Sequence, residues 1–256
     1  MLLLAQCLET FPGLEVEVHD EDWLRRDRAL DGASAVAIYA DGGTAHPLLE
    51  DDLLGTITSL VADRGLGLGL MHYAVELPEG DGAERVDSWI GGHYRDQVSC
   101  NPIWEARIDG LPEHPVARGV SPFAMNDEWY FNIQFDDVAT DVSGALEPTG
   151  RLTPILVATP SDAVRLGPYV YPSGPYPHIV AGRGQCETLM WVLERHDGGR
   201  GFGLTGGHFH ANWAIDSFRA VVLNALVWVA GAEVPAKGVG SALTSDDLRR
   251  NLDSAP

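Results

Sequence analysis

Four of the nine histidines in this 256-residue chain, His46, His72, His208 and His210, each come shortly after an apolar run and a glycine. Imidazole exchanges protons near neutrality and binds metals through a bare ring nitrogen, so their placement points to acid–base or metal chemistry. His208 and His210 lie one residue apart after Gly206-Gly207. In an extended chain such positions face the same way, and both rings could enter one pocket. The plainer alternative is that they donate to backbone carbonyls and cap the following helix. No HExxH or comparable spacing occurs, so acid–base work comes first. His208, His210 and His72 are then candidate ligands for a divalent metal such as Zn or Mn.

His72 closes a glycine-spaced apolar run. A sharp turn there would hold its ring above a sheet, as a nucleophile elbow holds a serine; the alternative is a satisfied, partly buried histidine. No serine or cysteine occupies that position, which argues against covalent acyl transfer. Glu76 is a second candidate base, or else a solvated loop residue. In Asn126-Asp127-Glu128-Trp129-Tyr130, carboxylates stand beside aromatics. Glu128 and Trp129 would suit a sugar, the ring stacking on its face and the carboxylate accepting its hydroxyls. Equally, Trp129 and Tyr130 could be core residues of a strand. Asp41, Gly42, Gly43, His46, Tyr73, Asn212 and Trp213 complete the candidate substrate-binding set. His114-Pro115 reads as a turn, and His93 as a surface residue past a glycine-capped helix end. Gly65-Leu66-Gly67-Leu68-Gly69 lacks GxGxxG spacing, so no nucleotide cofactor is expected.

These residues need elements to carry them. Residues 2–11 space Leu3, Leu4, Cys7, Leu8 and Phe11 as a helix, closed by Pro12-Gly13. Residues 14–18 alternate with period two, as a half-exposed strand does. Residues 34–40 read as a buried parallel strand, 48–63 as a helix and 65–73 as a second buried strand. Strand, helix, strand in this order is a right-handed βαβ unit, so the sheet is expected to be mostly parallel. Short strands are expected at 104–108, 128–135 and 154–158, and three prolines make 169–177 a loop. Residues 187–195 and 201–205 read as strands around a Gly-rich turn. Residues 215–230 form the clearest helix, with Phe218, Val222, Ala225 and Val229 on one stripe and Gly231 as its cap. No repeat or linker divides the chain, which reads as one domain over 1–256 with 235–256 a surface tail. Ligands of open α/β sheets bind beyond the C-terminal strand ends, the rim where His46, His72, Glu76, His208 and His210 would gather.

Composition narrows the partners. With 17 basic and 37 acidic residues the formal charge is −20, and Lys237 is the single lysine. Nucleic acid and anionic membranes both need basic patches, so neither is an expected partner. The most apolar segment, 221–231, is too short to span a bilayer. Three cysteines, Cys7, Cys100 and Cys186, cannot pair completely and show no CxxC spacing. That fits a reducing compartment, and a cytoplasmic location is expected for the chain as written. Nothing argues for an oligomer, although a homodimer would be the ordinary choice.

Several stretches resemble the trehalose-utilisation (ThuA-like) family: YADGGTAHPLL, GLGLMHYAVE, WIGGHY, NPIWEA, HPVARGVSPF, DEWYFNIQF, RHDGGRGFGLTGGHFHANWA and FRAVVLNALVWVAGAEVP. The resemblance runs from about residue 2 to the end, and GFGLTGGHFHANW is its most specific part. It implies a class I glutamine-amidotransferase-like, flavodoxin-like three-layer sandwich without the amidotransferase cysteine, and a link to carbohydrate catabolism. The family's rim motifs fall on Asp41, His46, His72, Glu76, Glu128, His208, His210 and Asn212. One function that follows is an enzyme acting on glycosides or keto-sugars by elimination or hydrolysis. His72 or Glu76 would be its base and His208 or His210 its acid or metal ligand. The other is a sugar-binding or regulatory module that has lost its nucleophile.

The resemblance also implies a missing piece. Family members open with a strand and a loop rich in His and Glu, whereas this chain opens on the helix at residues 2–11. In the order 2-1-3-4-5 that strand lies between those expected at 14–18 and 34–40. The expectation is a shortened N-terminus, any leader lost with it, and a gap in the sheet at that place.

Overall fold

The computed structural model describes residues 1–19, 30–50, 52–135 and 150–250. Its elements are α1 (Leu2–Leu8), β1 (Ala35–Ile38), α2 (Leu53–Arg64), β2 (Gly67–Met71), α3 (Asp81–Ile90), β3 (Gly92–His93), β4 (Ile103–Ile108), β5 (Phe123–Glu128), β6 (Gln134–Phe135), β7 (Gly150–Ala158), α4 (Asp162–Arg165), α5 (Pro177–Ala181), β8 (Glu187–Arg195), β9 (Arg200–Leu204), α6 (Asp216–Val229) and α7 (Ser245–Arg250). Five strands form one sheet in the order β1-β2-β9-β8-β7. β1, β2 and β9 run parallel, and β8 is antiparallel to both β9 and β7. Four of the five strands therefore point the same way. The chain is α/β with a mixed, mostly parallel sheet, compatible with a flavodoxin-like fold.

The glycine-spaced run works by giving β2 two unequal faces. Leu68 and Leu70 join one core with Ile57 and Val61 of α2 and Val86 and Ile90 of α3. On the other face a Cβ at Gly67 would stand 2.1 Å from the Val229 carbonyl of α6, so only glycine lets that helix approach so closely. α6 and α1 share the second core with Phe202 and Leu204. A separate antiparallel ribbon, β4 with β5, pairs Ile103 with Glu128 and Ile108 with Phe123.

Four expected elements change. Residues 14–18 form no strand and are mostly exposed; their charged alternation has no buried face to pair against. β1 is an edge strand, and no strand among the described residues pairs with its outer side. The strand expected at 128–135 instead ends at Glu128, where β5 stops, and resumes only as the two-residue β6. The helix expected from residue 48 begins at Leu53, because His46 and Pro47 start a separate 3-10 turn over Pro47–Leu49. The segment after Pro235 is not only a surface tail: Val239 is buried, and Asp247 accepts hydrogen bonds from Gln6 and Thr244.

Candidate metal centre

β2 ends at Met71, and the chain turns at once into a 3-10 helix over His72–Val75. His72 makes the turn with φ +53°, a left-handed value that costs a non-glycine residue energy. Its Nδ1 lies 3.1 Å from the Thr205 carbonyl, which can only accept, so Nδ1 carries the proton and Nε2 is bare. Burial lowers the His72 pKa, keeping the ring neutral.

Two more ligand atoms lie beside that nitrogen. His208 Nδ1 is 3.1 Å from His72 Nε2 and 2.9 Å from Glu128 Oε2, and the remaining side of the triangle, His72 Nε2 to Glu128 Oε2, is 3.6 Å. A divalent ion about 2.1 Å from each ligand would set them about 3.0 Å apart at octahedral and about 3.4 Å at tetrahedral angles. Two imidazoles and a carboxylate at these separations fit one face of such an ion, and these three residues are the ones that would hold it.

Glu128 and the loop that carries His208 are held from behind. Asn101 Nδ2 donates to Glu128 Oε1 at 3.0 Å, aiming Oε2 at the histidines. Burial pushes the Glu128 carboxyl up to about 7, against the opposing effect of Asn101. The fully buried Asp127 accepts from the backbone N–H groups of Glu128, Gly207 and His208, and from Asn212 Nδ2. One carboxylate thus joins the end of β5 to the loop after β9. The Tyr39 hydroxyl donates to the Gly207 carbonyl at 2.7 Å, holding the same loop from the β1 side.

Around this centre the expected residues separate. Glu76 borders it, its carboxyl pushed up to about 7 by burial and by Asp96. Tyr73 is partly exposed, with Glu76, Asp41, Tyr171 and Glu128 all acting on its phenol. Gly43 N–H donates to the Glu76 carbonyl, and a Cβ at Gly42 would stand 2.0 Å from the Tyr73 carbonyl. Those two glycines let the loop after β1 lie against the Tyr73–Glu76 segment.

Other expected residues serve the fold. His46 is fully buried; its Nδ1 accepts from Leu48 N–H and its Nε2 donates to the Ala74 carbonyl, leaving no nitrogen for a substrate. His210 does not join His72 and His208. The chain turns into a 3-10 helix at His210, so the same-face rule for an extended chain fails, and its Nε2 donates to the Leu248 carbonyl. Trp129 is fully buried, donates to the Met125 carbonyl and packs on Phe218, so it offers no stacking face. Trp213 stacks on the same Phe218 at 4.9 Å, and Asn212 is spent on Asp127 and the Asn126 carbonyl. The exposed aromatics near the centre are Tyr39, Tyr73 and Tyr171, the last 74% exposed.

Asn101 and Tyr171 are not singled out by residue type or spacing, and Tyr130 is read only as an aromatic beside Glu128 or a core residue of a strand. Tyr130 carried one signal, its place two residues beyond Glu128; Asn101 and Tyr171 carried none, since only folding brings them to Glu128. Two surface depressions, of about 460 and 430 Å³, lie elsewhere. One is lined by Arg64, Gly199 and Arg200 at the opposite ends of the strands, the other by Glu113, His114 and Arg118. No family model matches the chain, and no curated protein does.

Proposed function

We propose that the protein is a carbohydrate-processing enzyme of the trehalose-utilisation type, on an amidotransferase-like scaffold, with a divalent metal held by His72, Glu128 and His208. The observation that carries the reading is the convergence of three ligand atoms within 3.6 Å, with His72 fixed by Thr205 and Glu128 by Asn101. The Tyr130 hydroxyl already meets His72 Nε2, yet two rings and a carboxylate still present three ligand atoms to one point. An ion there would act as a Lewis acid on a carbonyl or hydroxyl oxygen.

Two features favour a neutral sugar. The charges acting on Tyr73, Glu76 and Glu128 come from Asp41, Asp96, Asp127, one another and Tyr171, so an anionic substrate would be repelled. Partly exposed phenols at Tyr73 and Tyr171 offer faces on which a sugar ring can stack. In an elimination from a keto-sugar, a base takes the C–H proton next to the carbonyl, C=C forms, and the C–O bond to the leaving group breaks. Glu76, with its carboxyl near 7, is matched to that first step at neutral pH. The leaving oxygen takes its proton from solvent on the open side, where His208 is 44% exposed.

Glutamine amidotransfer lacks its thiol. Cys100 is buried, Cys186 lies against Thr159, and Cys7 is near Arg219 and Asp247. The test is a turnover screen of disaccharides and their 3-keto derivatives with protein loaded with Zn or Mn, with and without chelator. Turnover that disappears with chelator and in His72→Ala supports the reading. Sugar binding without turnover, in protein that takes up no metal, replaces it with the binding-module alternative.

A further inference from the structure

Tyr130 is buried beside the centre, and its hydroxyl lies 3.3 Å from His72 Nε2, the one hydrogen-bond partner it has among the described residues. The ring is fixed, 4.9 Å from the His72 ring and 5.2 Å from that of Tyr94. His72 Nε2 has a single lone pair, because Nδ1 carries the ring proton for Thr205. That lone pair cannot serve a phenol proton and a metal ion together. Once an ion takes it, the phenol loses the one acceptor it has among the described residues, and a buried hydroxyl without an acceptor is costly. The ring cannot swing away, so the O–H can only rotate toward an atom beside the ion.

We infer that Tyr130 is a further catalytic residue, whose hydroxyl donates a hydrogen bond to the oxygen that a substrate or water places on the metal. This rests on the metal centre proposed above. The ligand class it implies is an oxygen that carries or develops negative charge, such as an enolate, alkoxide or hydroxide. A fixed donor aimed where that charge develops is the arrangement of an oxyanion hole. Glu128 Oε2 is the competing acceptor; Oε1 is already held by Asn101.

The test needs no substrate. Wild type and Tyr130→Phe, both full-length, are loaded with Co²⁺, and the visible absorption bands follow the binding of two probes. Acetohydroxamate presents anionic oxygens to the metal, whereas bound imidazole presents no acceptor to a neighbouring hydroxyl. Tyr130→Phe is expected to bind Co²⁺ as well as wild type or better, since the phenol no longer competes for His72. It is expected to bind acetohydroxamate about tenfold more weakly, the worth of one hydrogen bond to a charged group, and imidazole unchanged. Equal acetohydroxamate affinity in the two proteins overturns the inference and assigns the hydroxyl to Glu128. Equal weakening of both probes overturns it too, because a packing defect does not distinguish them. Wild type that binds no Co²⁺ overturns the metal reading, and this inference with it.

Discussion

Two buried histidines of the same rim, His46 and His72, have opposite fates. Each is fixed through a backbone carbonyl, Ala74 for His46 and Thr205 for His72. The difference lies in the second nitrogen. For His46 it accepts from Leu48 N–H two residues on, and the ring is finished as a structural part. For His72 it faces Glu128 and His208. A histidine near a strand end is thus chemically available only if the fold leaves one ring nitrogen without a backbone partner.

The comparison can be broken at several points. The largest effect is expected from removing a ligand. His208→Ala or Glu128→Gln should lower Zn²⁺ affinity by more than the about 10–100-fold that a supporting residue costs. Competition with a chromogenic chelator measures it, and the metal-free melting temperature should change little for His208→Ala, whose side chain is largely exposed. Asp127→Ala comes next. Four N–H groups lose their acceptor, and a loss of about 3 kcal/mol in urea unfolding is expected, with metal affinity falling as the loop shifts. A wild-type urea midpoint would show that water or the backbone replaces the carboxylate.

The structural histidine should show itself through pH. Burial holds the His46 pKa down at about 4, against 6.5 for the free side chain. The unfolded chain therefore takes a proton that the folded chain refuses. Its contribution is complete above pH 6.5 and lost as the pH falls to about 4, a change of about 3 kcal/mol. Unfolding of metal-free wild type and His46→Gln across this range measures it; parallel curves would mean that His46 is solvated. Asn101→Ala should weaken Zn²⁺ binding by about 10–100-fold through Glu128, without removing a ligand. Unchanged affinity would show that Glu128 is aimed by packing alone.

The smallest effect should come from Glu76, and with the opposite slope. Its carboxyl is raised from 4.5 to about 7, so the folded chain keeps a proton that the unfolded chain releases. Stability contributed by that proton is present below pH 4.5 and lost as the pH rises through about 7. Glu76→Gln should melt slightly higher than wild type at pH 8 and no higher at pH 4. A lower melting point at pH 8 would mean that the charged carboxylate has a stabilising partner.

Local pattern carried much of the scaffold. The period of 215–230 gave a helix whose observed span is Asp216–Val229, and the run around Gly67 to Met71 became β2. Both are signals written within about a dozen neighbouring residues. The alternation at 14–18 failed because a period of two says that a strand could form, not that a second strand is there to pair with it. Trp129 failed for a related reason. Its residue type suits both a sugar face and a core, and only its burial against Phe218 separates them.

From the sequence alone followed an α/β chain, acidic, with 17 basic against 37 acidic residues, and with histidines close behind apolar runs. These properties depend on composition and on short-range periodicity. Which histidines lie together was decided only in three dimensions. His72 meets His208 across 136 positions because β2 and β9 are neighbours in the sheet, and Glu128 joins them from a ribbon outside it. His210, two residues from His208, is turned away to Leu248. A lone pair is free or spent according to the carbonyls and amides that reach it. Apart from a local turn such as His46 with Leu48, those come from segments far apart in the chain, which no local spacing encodes.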